Sequence, residues 1–137
     1  MTPEDCLFCK IANGNIPSEK IYEDDQTFAF LDINPINRGH TLVIPKRHAE
    51  NIMTIRKEEL AAVMETVRML APVIQRAVDA DGINIGINNG SAAGQVIFHT
   101  HVHIMPRFEG DGHEHWQKKD ISKESIAEAG IAIRKEL

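Results

Sequence analysis

Residues 94–105 read Gly-Gln-Val-Ile-Phe-His-Thr-His-Val-His-Ile-Met, and the three histidines at every second position, His99, His101 and His103, decide how the chain is to be read. Spacing by two scatters side chains around a helix, but on a strand it places them on one side, roughly 6.5 to 7 Å apart at each step. An active-site strand over 94–105 is therefore expected. Its other side carries Phe98, Thr100, Val102 and Ile104, a mainly apolar set suited to a core. A purification tag would sit at a terminus and lack the alternation. A half-buried strand that merely happens to carry histidines would bury three polar rings, each in need of partners. A functional row is the simpler reading.

The 137 residues, 42% hydrophobic and 26% charged, fit a single globular domain spanning 1–137. No apolar run approaches the length of a membrane span, and the N-terminus Met-Thr-Pro-Glu-Asp is acidic where a secretory signal is basic. A soluble, cytoplasmic protein is expected, without a membrane partner. The formal net charge of -5 argues against a broad grip on nucleic acid, which needs many phosphates neutralised, yet leaves room for one small nucleotide.

Upstream, Asn13-Gly-Asn-Ile-Pro17 is a turn cluster, followed by strands at 20–23 and 27–31 that read as a hairpin through Asp24 and Asp25. Residues 32–39 read as a loop and 40–45 as a further strand rich in branched residues. From Lys57 to Ala80, apolar residues recur at helical spacing, with Gly82 as the expected stop. Pro72 falls within this helix but off its apolar stripe, so a bend tolerated on the solvent side is expected. A strand at 83–89 should form a hairpin with the histidine strand. Ser122 can cap a last helix through Ile126, Ile133 and Leu137. This order predicts an α+β fold, an antiparallel sheet with one long helix and a C-terminal helix on one side.

Imidazole near neutral pH can be a nucleophile, a proton carrier or a metal ligand. Just before the row, Gly90 and Gly94 allow backbone N–H groups to approach an anion, with Gln95 and Asn88 as side-chain donors. A plain glycine-rich turn is the alternative, and the adjacent histidines favour the anion, phosphate in particular. The two cysteines, Cys6 and Cys9, have Cys-x-x-Cys spacing. With a histidine outside the row, for which His48 is the best candidate, and one within it, they could complete a tetrahedral zinc site. Two reduced thiols or a redox pair are the other options, and no thioredoxin-like βαβ pattern surrounds them. Gly112-His113-Glu114-His115-Trp116 reads as a solvated or dimer-spanning loop rather than a second metal site.

Taken together, His99-Thr-His101-Val-His103-Ile-Met, Cys6-Leu-Phe-Cys9, Phe30-Leu-Asp32-Ile33, Gly39-His40-Thr-Leu-Val-Ile-Pro-Lys-Arg-His48, Asn88-Asn-Gly90 and Gly94-Gln95 resemble the histidine triad family in its Hint-like branch, of the bacterial type with a Cys-x-x-Cys pair. The resemblance implies a HIT-like fold, a homodimer formed through the main helix and an extended sheet, and purine nucleotide substrates. It implies that His101 attacks the α-phosphorus and carries the nucleotidyl group, with His103 and His40 setting its tautomer and orientation. Asp32 would take the ribose hydroxyls, and Phe8, Ile11, Ile16, Phe30 and Ile33 the base. Asn88, Gly94 and Gln95 would hold the phosphate.

It further implies structural zinc on Cys6, Cys9, His48 and His99, whereas family members without the cysteines use the first histidine on substrate. One departure is Val96, where the family often has a serine or threonine that contacts phosphate. The expected activity is a nucleoside phosphoramidase cleaving AMP–amine compounds. Dinucleoside polyphosphate hydrolysis and a slow nucleotide-binding adaptor are the alternatives.

Overall fold

A computed structural model of the chain describes residues 3–137. Strands β1 (Lys20–Glu23), β2 (Thr27–Leu31), β3 (Thr41–Pro45), β4 (Gly82–Ile87) and β5 (Val102–Arg107) form one sheet in the order β1-β2-β3-β5-β4. Every neighbouring pair is antiparallel. Helix α1 (Leu7–Ala12) precedes the sheet, α2 (Lys57–Val78) lies between β3 and β4, and α3 (Lys123–Glu136) ends the chain.

The alternation of the strands explains the two cores. Ala29, Val43, Val102 and Ile104 turn to one face and meet Val63, Val67, Leu70 and Ile74 of α2. Phe28, Phe30, Leu42 and Ile44 turn to the other and meet Cys6, Phe8 and Ile11 at α1. Strand β3 is therefore buried on both sides, as its uninterrupted Thr-Leu-Val-Ile-Pro run requires. A buried hydroxyl pair, Thr27 with Thr66 at 2.8 Å, ties β2 to α2.

Three expectations need correcting. The helices do not share one side: α1, too short to show periodicity, covers the face opposite α2, and α3 has no buried residue. Helix α2 stops at Asp79 rather than Gly82. Asp79 takes the left-handed conformation (φ 56°) and its N–H reaches the carbonyls of Gln75 and Arg76, while Gly82 already belongs to β4. Pro72 does lie within α2, on its exposed side.

The third concerns the histidine strand. The paired strand begins only at Val102, so of the three histidines His103 alone lies on it. The groups that would extend the ladder are used otherwise: the Thr100 N–H and hydroxyl both donate to the Ala49 carbonyl, and the Pro45 carbonyl is taken by His99. Residues 95–101 are thus held by loops and side chains. The three rings still gather on the α1 side, where Phe8 packs edge-on to His99 and His101 at 6.1 and 5.1 Å.

Candidate active site and metal centre

His40, His99 and His101 each have one nitrogen tied to a main-chain group whose hydrogen-bonding sense is fixed, and this assigns their tautomers and, through His40, that of His103. The His101 Nδ1 lies 2.7 Å from the His99 carbonyl, which can only accept, so Nδ1 carries the proton and Nε2 keeps a lone pair. The Ile36 N–H, which can only donate, meets His40 Nδ1 at 3.1 Å, so the His40 proton is on Nε2. That proton points at His103 Nδ1, 2.9 Å away. His103 must then carry its own proton on Nε2, and this buried N–H has no partner.

A bare lone pair on His101 thus stands beside an unused donor on His103, the two rings 5.0 Å apart. One expectation changes here. The tautomer of His101 is set by the His99 main chain, whereas the His40–His103 pair sets that of His103.

Burial keeps these rings neutral. It pulls His101 below an ordinary histidine, against the His99 carbonyl and the Asp32 carboxylate. It lowers His40 as well, against Asp32. His103 falls to about 4, through burial first and then through His101 and His40, with Asp32 opposing.

A folded value below the unfolded 6.5 means that the unfolded chain binds more protons between the two. The stability this contributes is present above pH 6.5 and is lost as pH falls towards 4. At about 1.4 kcal/mol per unit, His103 contributes at most about 3 kcal/mol. Urea unfolding at pH 7.5 and 4.5 should show a fall in stability, and His103→Asn, which lacks the titrating ring, should flatten it. Equal slopes for the two proteins would refute the assignment.

His99 is oriented differently. Its Nε2–H donates to the Pro45 carbonyl at 2.8 Å, leaving the Nδ1 lone pair 3.4 Å from Cys6 Sγ and 3.5 Å from Cys9 Sγ. His48 Nδ1 is 3.4 Å from Cys9 Sγ, and all four ligand atoms lie within 4.8 Å of one another. Zinc bonds of about 2.3 Å to sulfur and 2.05 Å to nitrogen at tetrahedral angles place sulfur and nitrogen about 3.6 Å apart. The donor set therefore fits zinc, and the Pro45 carbonyl supplies the outer hydrogen bond that a metal-bound imidazole needs.

Burial, with Cys6 alongside, pushes the Cys9 thiol up to about 12, and a cation among the ligands would offset that. Fully buried, His99 turns its Nδ1 to the two cysteines. Asp32, His40 and His103 also bring donor atoms together, but there the His40 proton lies between the two rings, where a cation would have to sit.

Of the remaining expected residues, Phe8, Ile11 and Phe30 are buried in the α1 core, Ile16 packs beside them, and Ile33 is 88% exposed. Asp32 accepts from the Asn34 N–H and lies 3.6 Å from His40 Nε2. Asn88 reaches the Gly94 carbonyl only weakly, at 3.5 Å.

The expectation that Gln95 donates to an anion meets a competing use. Both of its amide hydrogens go to carbonyls, of Glu50 and Ile97, while its oxygen accepts from Gly90 N–H. It braces the Gly90–Gly94 loop instead. Val96 points to solvent, and His115 and Trp116 are exposed. The residues that sequence reading missed act mainly through their main chains, Ile36, Pro45 and the His99 carbonyl, and residue type gives no signal for such groups.

Residues 13–110 match the HIT domain family model. Over 122 residues the chain is 43% identical to adenylylsulfatase HINT3 of Arabidopsis thaliana, covering 89% of this chain and 61% of that protein. The chain thus spans about three-fifths of that relative. The fold matches SMU.412c of Streptococcus mutans UA159 with a TM-score of 0.90 at 42% identity, covering 96% of this chain and 85% of that one. A Zn-bound histidine triad family protein from Mycobacterium smegmatis gives a TM-score of 0.78 at 34% identity, with 99% of this chain and 100% of that one covered.

Proposed function

Because this chain belongs to the histidine triad family, we propose that it cleaves purine nucleotides at the α-phosphate, with AMP–amine phosphoramidates as its best substrates. One observation carries the reading: the neutral His101 offers Nε2 without a proton, next to the unpartnered N–H of His103. A nucleophile beside a donor suits attack on phosphorus, where negative charge grows on the non-bridging oxygens.

In the proposed reaction His101 Nε2 bonds to the α-phosphorus and the P–N bond of the substrate breaks. The amine leaves with that electron pair and takes a proton from solvent. His103 donates to a non-bridging oxygen throughout. Water then attacks the nucleotidyl–His101 adduct and releases a proton to solvent, the P–Nε2 bond breaks with its electron pair returning to Nε2, and AMP departs while the imidazole, still protonated on Nδ1, returns to its neutral form.

Asp32 would take the ribose hydroxyls, and Phe8, Ile11, Ile16, Phe30 and Ile33 would border the base. Asn88 and the backbone at Gly94 would hold the phosphate, in a loop kept in shape by Gln95. The name of the Arabidopsis relative supports attack on an adenylyl group with a different leaving group, sulfate.

Zinc on Cys6, Cys9, His48 and His99 is proposed as structural, since the four donors leave no open position. A homodimer is proposed through β4, an edge strand with Ile85 partly exposed, and through Met69 and Val73 on the outer side of α2. A cytoplasmic location is proposed too. Among the described residues no helix is long and apolar enough to cross a membrane.

The test is incubation with an adenosine phosphoramidate, a diadenosine polyphosphate and a nucleotide sugar, with mass spectrometry for an adenylyl group on His101. The phosphoramidate should turn over fastest. No adduct and no turnover with any of the three would leave a nucleotide-binding adaptor as the surviving reading.

A further inference from the structure

The loop between β2 and β3 carries both Ile36 and His40, so whatever fixes the loop also fixes the Ile36 N–H on His40 Nδ1. Four side chains do so from outside the catalytic row. Asn37 Nδ2 donates to the Pro106 carbonyl at 2.9 Å and to Asp111 Oδ2 at 3.0 Å. Arg107, at the end of β5, grips both oxygens of Asp111 at 2.8 and 3.1 Å and reaches Asn84 of β4 at 2.7 Å.

Asp111 also accepts from the N–H groups of Phe108 and His113, and its side chain is only 6% exposed. Finally, His113 Nε2 donates to the Ile36 carbonyl at 2.9 Å. Ile36 is therefore held at both ends, by His113 on its carbonyl and by His40 on its N–H. Gly39 (φ 91°) lets the chain return tightly, since a Cβ there would come within 2.9 Å of Val78.

We infer that Asn37, Arg107, Asp111 and His113 form a positioning clamp that locks His40, and through it His103, in the Nε2–H tautomer. A simple loop brace would hold the backbone without any effect on proton placement. Here the held residue is the one whose N–H dictates that placement. If the loop drifts, His40 Nδ1 loses its donor and can take the proton itself. His40 Nε2 then becomes an acceptor, His103 shifts its proton to Nδ1 to meet it, and the free N–H of His103 disappears. No bond to substrate is involved, so these four are positioning residues. The inference deepens the proposed function, because it concerns the donor that the proposed reaction uses.

The experiment uses the full-length protein, with imidazole nitrogens labelled with ¹⁵N, as wild type, Asn37→Ala and His113→Ala. In the wild type near pH 7, His40 and His103 should each carry the proton on Nε2. In Asn37→Ala the two should become tautomer mixtures, with kcat on the adenosine phosphoramidate reduced roughly ten- to hundredfold and KM within about twofold. His113→Ala, a change at an exposed side chain, should keep the wild-type melting temperature and show a smaller shift in the same direction; it serves as the test should Asn37→Ala fail to fold.

Wild-type tautomers in both folded variants, whatever their rates, would overturn the clamp, as would a proton on Nδ1 of His40 in the wild type. The spectra need no substrate. A wild type that turns over nothing yet shows these tautomers and their loss in the variants would sink the proposed reaction and leave the clamp standing.

Discussion

His101→Ala should lower kcat/KM on an adenosine phosphoramidate by about 10⁴-fold or more and abolish the adenylyl adduct, because no other group in the site presents an unprotonated nitrogen to phosphorus. Removing His103 should be milder, about 10² to 10³, the range for losing one preorganised donor to a developing oxyanion. The order of the two effects is as informative as their size. A nucleophile deletion leaves no covalent route, whereas a donor deletion leaves the route open with a higher barrier. His101 is buried, so its truncation should also cost about 2–3 kcal/mol of stability, measurable by urea unfolding and, in a domain that stays folded, no cause of the kinetic loss. Retention of more than about 1% of wild-type activity in His101→Ala would refute its role.

Cys6→Ser should remove bound zinc and lower stability by about 3 kcal/mol or more, which for a chain of this size corresponds to a melting temperature lower by about 10 °C. Serine is the informative replacement. Cys6 caps α1 by accepting from the Cys9 N–H, and a hydroxyl keeps that bond while binding zinc far less well than a thiolate. The measured loss then reports the metal and not the cap. Metal analysis should find about one zinc per chain in the wild type purified without chelator and almost none in the variant. A metal-free wild type would dismiss the zinc site.

Activity should fall several-fold as well, by a route visible in one residue. The His99 side chain faces the cysteines while its carbonyl holds the His101 proton, so releasing the ring loosens the anchor of His101.

Most of the sheet was legible because each strand declares its surroundings. The hairpin strands at 20–23 and 27–31 have the predicted bounds, the long helix starts at Lys57 as predicted but ends at Val78 rather than Ala80, and the continuous apolar run of β3 marks a strand covered on both faces. Helix α1 was not legible, since six residues are too few for periodicity and its position depends on Cys6 and the apolar partners Phe8 and Ile11.

The histidine stretch reads as a longer strand than β5 proves to be, because alternation reports which way side chains point and not where backbone hydrogen bonds go. In the site the sequence supplies the reactive residue types, and the structure supplies their proton positions. His40, His99 and His101 all depend on main-chain partners, at Ile36, Pro45 and His99, that any residue type would provide. The clamp at Asn37 and Asp111 was invisible for a related reason, since its members lie 74 positions apart and meet only once β5 has been folded against β3.

Strand β3, buried on both faces, has a consequence for how the protein opens. His40 immediately precedes it, Leu42 pairs with His103 across it, and Pro45 at its end holds His99. Proteins usually draw their binding sites from segments that come loose at little cost, whereas a central strand separates from its neighbours only when the whole domain unfolds. The reactive histidines here are attached to the part that opens last. Partial opening that exposes α3 leaves their geometry intact, whereas release of the 108–121 segment withdraws Asp111 and His113 from the Ile36 loop and frees the His40 and His103 protons to move while β3 stays paired.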